Sequence, residues 1–191
     1  VTEAGYIARW VTPGARVLDL GCGSGALLRH LWQTRQAPGY GVEIDDAKVQ
    51  ECIRNDVNVL QMDLEDGLSA FQDGSFDFVI LSETLQAIHR QEPLLRDMLR
   101  VGREAIVSFP NFGFWKARLQ ITFAGHMPVS RELPYQWYDT PNVHHCTLVD
   151  FEALCAKLGL RILERQVLTG GQPVSVLPNL FGSLAVYRVS A

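Results

Sequence analysis

The sequence predicts an α/β fold: a parallel sheet covered by helices on both faces. Three observations predict it. Short runs rich in Val, Ile and Leu alternate with segments of helical period from Ala15 to Pro110, the pattern of strands joined by crossover helices. The first run feeds a glycine loop, "VLDLGCGSG" (Val17–Gly25). Acids stand at the ends of the first three runs: Asp19, Glu43 and Asp63.

The elements follow in order. "ARVLDL" (Ala15–Leu20) is the first strand, and "GALLRHLWQT" is a helix with Leu27, Leu28 and Leu31 on one side. "GYGVEI" (Gly39–Ile44) is the second strand. "DDAKVQECIRN" is a helix with acids in its first turn, where the helix dipole favours them. "VNVLQM" is the third strand, "FDFVILS" (Phe76–Ser82) the fourth, "EPLLRDMLRV" the next helix and "EAIVSFP" (Glu104–Pro110) the fifth strand. "TLVDFEALCAKLG" is a helix capped by Thr147 and stopped by Gly159. "LRILERQVL" and "SLAVYRVS" are two closing strands. Residues 111–146 remain irregular, with "FGFWKARLQITFAG" partly helical. A stretch of that length is uncommon without function. We expect one domain over 1–191, with 111–146 inserted over the C-terminal edge of the sheet, where open α/β folds bind ligands.

Length and composition narrow the function. A chain of 191 residues suits one domain with a sizeable core. The net charge of −4 argues against a phosphate-tracking surface, so no nucleic-acid partner is expected. No apolar run reaches the roughly 18–20 residues that span a bilayer, and no basic head precedes an apolar segment as in a secretory signal. Cys22, Cys52, Cys146 and Cys155 form no C-x-x-C pair. A reduced, cytoplasmic protein is expected.

The glycine loop is the first candidate site. Gly21, Gly23 and Ala26 fit the dinucleotide pattern G-x-G-x-x-G/A, with Glu43 where a ribose-binding acid is expected. That pattern leaves a nicotinamide dinucleotide and S-adenosylmethionine (SAM) both open. Asp19 discriminates between them. A carboxylate at that place disfavours a pyrophosphate and suits the ammonium and sulfonium of SAM. Asp63, in "LQMDL", is placed to accept from an adenine amino group. The plain alternative is a glycine turn among solvated acids.

"VLDLGCGSG", "GVEID", "MDLEDGL" and "FDFVILSETLQAI" together resemble the successive motifs of the class I SAM-dependent methyltransferases. The resemblance implies a three-layer, Rossmann-like sandwich with a mostly parallel seven-stranded sheet, order 3-2-1-4-5-7-6 and strand seven antiparallel. It implies a site for SAM or S-adenosylhomocysteine (SAH) built from Asp19, Gly21, Cys22, Gly23 and Gly25 at the first loop. Glu43 would take the ribose hydroxyls and Ile44 would pack on adenine. Met62, Asp63 and Leu64 would surround the adenine amino group, and Ser82 would lie beside the sulfonium end.

Nothing in the motifs names a methyl acceptor. No D/N-P-P-[YF] segment follows strand four, and no cysteine stands where a pyrimidine-methylating nucleophile would. Candidate general bases are His89, His144, His145, Tyr135 and Tyr138, with His144 and Tyr138 taken as the catalytic candidates. The stretch "LPYQWYDTPNVHHCTLVDF" has no ligand pair at helical spacing behind His144, His145 and Cys146, so no metal is expected. Its rings serve either as packing or as a docking surface.

"ELPYQWYDTPNVHHCTLVDFEALC", preceded by "NFGFWKARLQITFAGHMPVS", resembles the signature region of the MetW family of methionine biosynthesis proteins. Here His145 replaces the usual hydrophobic residue after the first loop histidine, and the segment before Ala15 is a looser match. The resemblance implies an accessory or regulatory partner of homoserine O-acyltransferase, whether acetyl or succinyl. A genuine SAM-dependent methyltransferase acting on a small molecule is the competing function.

Overall fold

A computed structural model describes residues 2–191. The helices are α1 (Glu3–Trp10), α2 (Ala26–Arg35), α3 (Asp46–Arg54), α4 (Gln91–Val101), α5 (Trp115–Leu119), α6 (Leu148–Leu158) and α7 (Pro178–Phe181). The strands are β1 (Val17–Leu20), β2 (Gly39–Glu43), β3 (Val59–Gln61), β4 (Phe76–Leu81), β5 (Gly102–Pro110), β6 (Arg161–Thr169), β7 (Gln172–Pro173) and β8 (Leu184–Ser190). They form one sheet in the order β3-β2-β1-β4-β5-β8-β6-β7. β1 to β5 run parallel, and β8 is antiparallel to both β5 and β6.

The expected strand order is present with one addition. The expected sheet has seven strands, whereas β7 makes an eighth, a two-residue return across the Gly170–Gly171 turn onto the end of β6. Both glycines have positive φ, as a tight reversal requires. β3 is shorter than "VNVLQM" suggests because it is an edge strand whose register runs only against Gly41–Glu43 of β2. Helix α1 was not expected from the sequence. Its Thr2 side chain caps the Gly5 N–H, and it buries Tyr6, Ile7 and Ala8.

Strand alternation sorts the core into two faces. Leu18, Leu20, Val79, Leu81 and Val107 pack against α4 and α6. Val17, Phe78, Ile80, Ile106 and Val186 pack against α1, α2 and α3. Asp19, Ser82 and Ser108 continue this second face toward the C-terminal edge. On the first face the rings of Phe109, Phe151 and Tyr187 lie 4.8–5.9 Å apart. Helix α6 begins with a complete capping box, Thr147 with Asp150, and ends at Gly159 with φ +73°, as its sequence predicts.

The segment 111–146 is tied down at both ends. The Asn111 amide donates to the carbonyls of Asn179 and Gly182. Phe112 N–H donates to the Cys146 carbonyl at 3.0 Å. The N–H groups of Val143 and His144 both donate to the Gln86 carbonyl, at 2.9 and 3.0 Å. This last tie brings the returning loop beside the turn that follows β4. Among the described residues no helix is long and apolar enough to cross a membrane.

Candidate functional site

The ends of β2 and β3, the turns after β1 and β4, and residues 131–142 enclose a cleft of about 580 Å³. That volume suits a small-molecule ligand. Gly21 forms its floor. It has φ +71°, and a Cβ there would lie 2.7 Å from Thr84 Oγ1. Only a glycine lets the first turn approach the turn after β4 this closely.

Glu43 is held by the backbone around it. Its Oε2 accepts from Gly23 N–H at 2.8 Å. Its Oε1 accepts from Ile44 and Asp45 N–H at 2.9 and 3.0 Å. A carboxylate offers about four acceptor positions, so three bonds fix its orientation and leave about one for a ligand. Ile44 is 60% exposed beside it, an apolar surface at the lip of the cleft. Asp63 Oδ1 accepts from Glu65 N–H at 2.9 Å, and Oδ2 makes no hydrogen bond among the described residues.

Six of the cofactor-site residues named from the sequence therefore share this wall: Gly21, Glu43, Ile44, Met62, Asp63 and Leu64. The remaining cofactor-site residues do not line it. Cys22 is buried away from the cleft, its sulfur 3.7 Å from that of Cys52. Burial raises the pKa of both thiols. Gly23 serves through its N–H to Glu43, and Gly25 starts α2 with φ +75°. Asp19 is 2% exposed and lies beneath the wall. Ser82 donates its hydroxyl to Glu3 Oε1 at 2.7 Å, so it is engaged by α1.

Neither catalytic candidate reaches the cleft wall. Tyr138 is 71% exposed and packs edge-on against Trp137. His144 is an exposed residue whose backbone is tied to Gln86. Of the other candidates, Tyr135 and His89 do line the cleft. His145 stacks on Phe112 at 4.7 Å, and partial desolvation, then the neighbouring His144, lower its pKa.

The sequence reading missed Glu83, Thr84, Arg131 and Glu132, all on the wall. Glu83 has φ +47°, a left-handed backbone rare outside glycine. Partial desolvation, the charge of Glu3 and a hydrogen bond to Glu3 push its carboxyl up to about 7. The signal was available in "SETLQAI", from which only the first residue was taken. Arg131 and Glu132 carried a weaker signal, adjacent opposite charges just before the aromatic run Tyr135–Tyr138.

Comparison with known proteins places this arrangement. A family model described as "Methionine biosynthesis protein MetW" matches residues 2–189. A relative from Rhodopirellula baltica, the bifunctional methionine biosynthesis protein MetXA/MetW, is 38% identical over 163 residues. That match covers 81% of this chain but 26% of the relative, so the chain spans about a quarter of it. Among solved structures, the complex between the Haloferax volcanii Trm112 methyltransferase activator and a putative methyltransferase superposes with TM-score 0.72 at 17% identity, covering 98% of this chain and 88% of that one. A SAM-dependent methyltransferase from Archaeoglobus fulgidus gives 0.71 at 18% identity, with 98% and 90% covered. These likenesses show the fold. The chain thus belongs to the MetW family of methionine biosynthesis proteins, built on the class I SAM-dependent methyltransferase fold.

Proposed function

We propose that the cleft binds SAM or SAH and that the protein is a cytoplasmic accessory or regulatory partner of homoserine O-acyltransferase. One observation carries the ligand reading. The wall is dominated by carboxylates, Glu43, Asp63, Glu65, Glu83 and Glu132, against the single guanidinium of Arg131. Such a wall repels a pyrophosphate and accepts a cationic sulfonium. Glu43 would hold the ribose hydroxyls. Ile44 and Leu64 would pack on the adenine, and Asp63 would accept from its amino group. The methionine end would lie toward Gly21. Asp19 and Ser82, covered by Glu3, are not carried into this reading.

The partner reading is supported by the R. baltica relative, whose name joins MetXA to MetW on one chain; we take the MetXA part as the acyltransferase. It is supported too by the insertion. Trp137 and Tyr138 are 72% and 71% exposed, in the same segment whose Arg131, Glu132, Tyr135 and Asn142 line the cleft. One segment thus faces the ligand and presents aromatic rings outward. SAM is made from methionine, so ligand in the cleft reports the pathway's output. A difference in SAM affinity between free and bound protein would control the partner, with a typical coupling of about 1–3 kcal/mol. The test is to titrate SAM into the protein mixed with homoserine O-acyltransferase, following acyl transfer, association and SAH release. Altered acyl transfer without SAH release supports the proposal. SAH release above background with no effect on the acyltransferase supports a methyltransferase instead.

A further inference from the structure

Of the twenty large apolar side chains left exposed among the described residues, nine fall between Trp115 and Val143. Five of these lie on α5 and the turns that follow it: Trp115, Leu119, Ile121, Phe123 and Met127. After Leu119 the chain widens α5 into a π-helical turn, Gln120–Ala124, a rare form that recurs at functional sites. Steps of four carry Trp115, Leu119 and Phe123 along one side as a ridge. The polarity of the segment is inverted. Its inward side buries Phe114 and Ala117. The Gln120 amide clasps Val129, accepting from its N–H at 2.9 Å and donating to its carbonyl at 3.2 Å. Arg118 Nε donates to the Gly113 carbonyl at 2.6 Å. Polar bonds thus pin the back of the ridge, while Phe123 stands 81% exposed on its crest. Water alone selects the reverse arrangement, and an apolar ridge on a fixed frame marks an interaction surface.

Charge indicates what covers it. In a chain of net charge −4, no Asp or Glu stands between Glu104 and Glu132. Lys116 and Arg118 flank the ridge and are exposed. Two cations are too few to hold an anionic bilayer, which takes clusters of about 4–8. A second copy, joined by a two-fold axis, would set the same cationic rim against itself. An apolar surface edged by carboxylates is the complement. The ridge is also continuous with the outward rings of the loop. Met127 at its far end shares a pocket of about 320 Å³ with Pro128, Leu133, Tyr135 and Trp137. No Asp, Glu, Lys or Arg lines that pocket, so it suits an uncharged side chain.

We propose that the ridge of Trp115, Leu119 and Phe123 docks homoserine O-acyltransferase, on a face of that enzyme that is apolar and edged by carboxylates. The pocket beside Met127 receives an apolar side chain of the same partner. This inference rests on the partner reading above and adds to it the surface and the chemistry of its complement. Phe123 is the anchor, Lys116 and Arg118 supply the charged rim, and Trp137 lies at the margin of the face.

Interferometry on immobilised homoserine O-acyltransferase reads the association. Phe123→Asp and Leu119→Asp should each weaken it about thirtyfold or more, the size of a lost anchor. Both should keep the melting point of the wild type, because neither side chain is buried. Lys116→Glu should weaken the complex and flatten its salt dependence. Trp32→Asp, at an exposed position on α2, should leave the affinity within about threefold. If the wild type does not associate with the acyltransferase, the partner reading falls and this one falls with it. If the two associate and neither Phe123→Asp nor Leu119→Asp weakens the complex, the partner reading stands and this surface is overturned. Two further results would also overturn it. A doubled mass in sedimentation of the chain alone, abolished by Phe123→Asp, would assign the ridge to a second copy. Flotation with phosphatidylglycerol vesicles, abolished by the same change, would assign it to a membrane.

Discussion

Replacing Asp19 by asparagine removes a charge and keeps the shape. The carboxyl is buried on β1 with one oxygen unpartnered. Burial, then the charges of Glu3 and Glu43, raise its pKa from the ordinary 3.8 to about 7. Between those values the folded protein holds a proton that the unfolded chain has released. Stability from this group is therefore full near pH 4, falls as pH rises toward 7, and levels off above it. Each pH unit is worth about 1.4 kcal/mol, so the ionised group costs the fold at most about 4 kcal/mol at pH 8. Asparagine is neutral throughout. Urea unfolding of both proteins at pH 4, 6 and 8 checks this. The two should be about equally stable at pH 4, and Asp19→Asn should be the more stable by about 2–4 kcal/mol at pH 8. Parallel stability–pH curves, or a variant less stable at pH 8, would refute the argument, because they would mean that Asp19 ionises freely in the folded protein.

Three other outcomes are expected. Glu43→Ala should weaken SAM binding about ten- to a hundredfold, the value of one or two hydrogen bonds to a charged group, and calorimetry reads it directly. The loss has two sources, since the Gly23, Ile44 and Asp45 N–H groups lose their common acceptor. Trp137→Ala should cost the acyltransferase complex about 2 kcal/mol, as for an interface anchor, with the melting point unchanged; an equal loss of stability and association would make Trp137 a packing residue. Thr147→Ala should lower stability by about 1 kcal/mol, because Thr147 Oγ1 no longer accepts from Asp150 N–H or donates to the Asp150 carboxylate, while the backbone N–H of residue 147 keeps its bond to that carboxylate; thermal melting measures this.

The parallel half of the fold was legible because local and global signals agree there. Glycines, dipole-matched acids and period-2 runs all specify the same crossover units. The cleft was legible where backbone geometry fixes a side chain, as at Gly21 and at Glu43 ending β2. It was not legible where tertiary packing decides. Asp19 and Ser82 sit in the right strands, yet α1 brings Glu3 across them from residues that the strand pattern does not relate to them. Cys22 lies within the glycine loop, but the lack of room at Gly41, whose Cβ would lie 2.3 Å from its sulfur, reflects a side chain turned into the core. The histidines of the loop attracted attention by chemistry alone, while Arg131 and Glu132 reach the wall by a chain path that has no period to read.

The place of β8 has a consequence for how the chain is made. It follows β6 and β7 in sequence but lies between β5 and β6. As synthesis proceeds, β5 emerges with one edge paired to β4 and the other, along Ala105–Pro110, open until Leu184–Ser190 arrive. An apolar strand with a free edge is a template for pairing with another chain. The β6–β7 hairpin cannot shield it, since that hairpin joins the sheet only through β8. A nascent chain stalled before Leu184 therefore carries an adhesive edge along its centre. The seven residues Leu184–Ser190 cover that edge once they emerge, so the hazard lasts only as long as β8 trails β5.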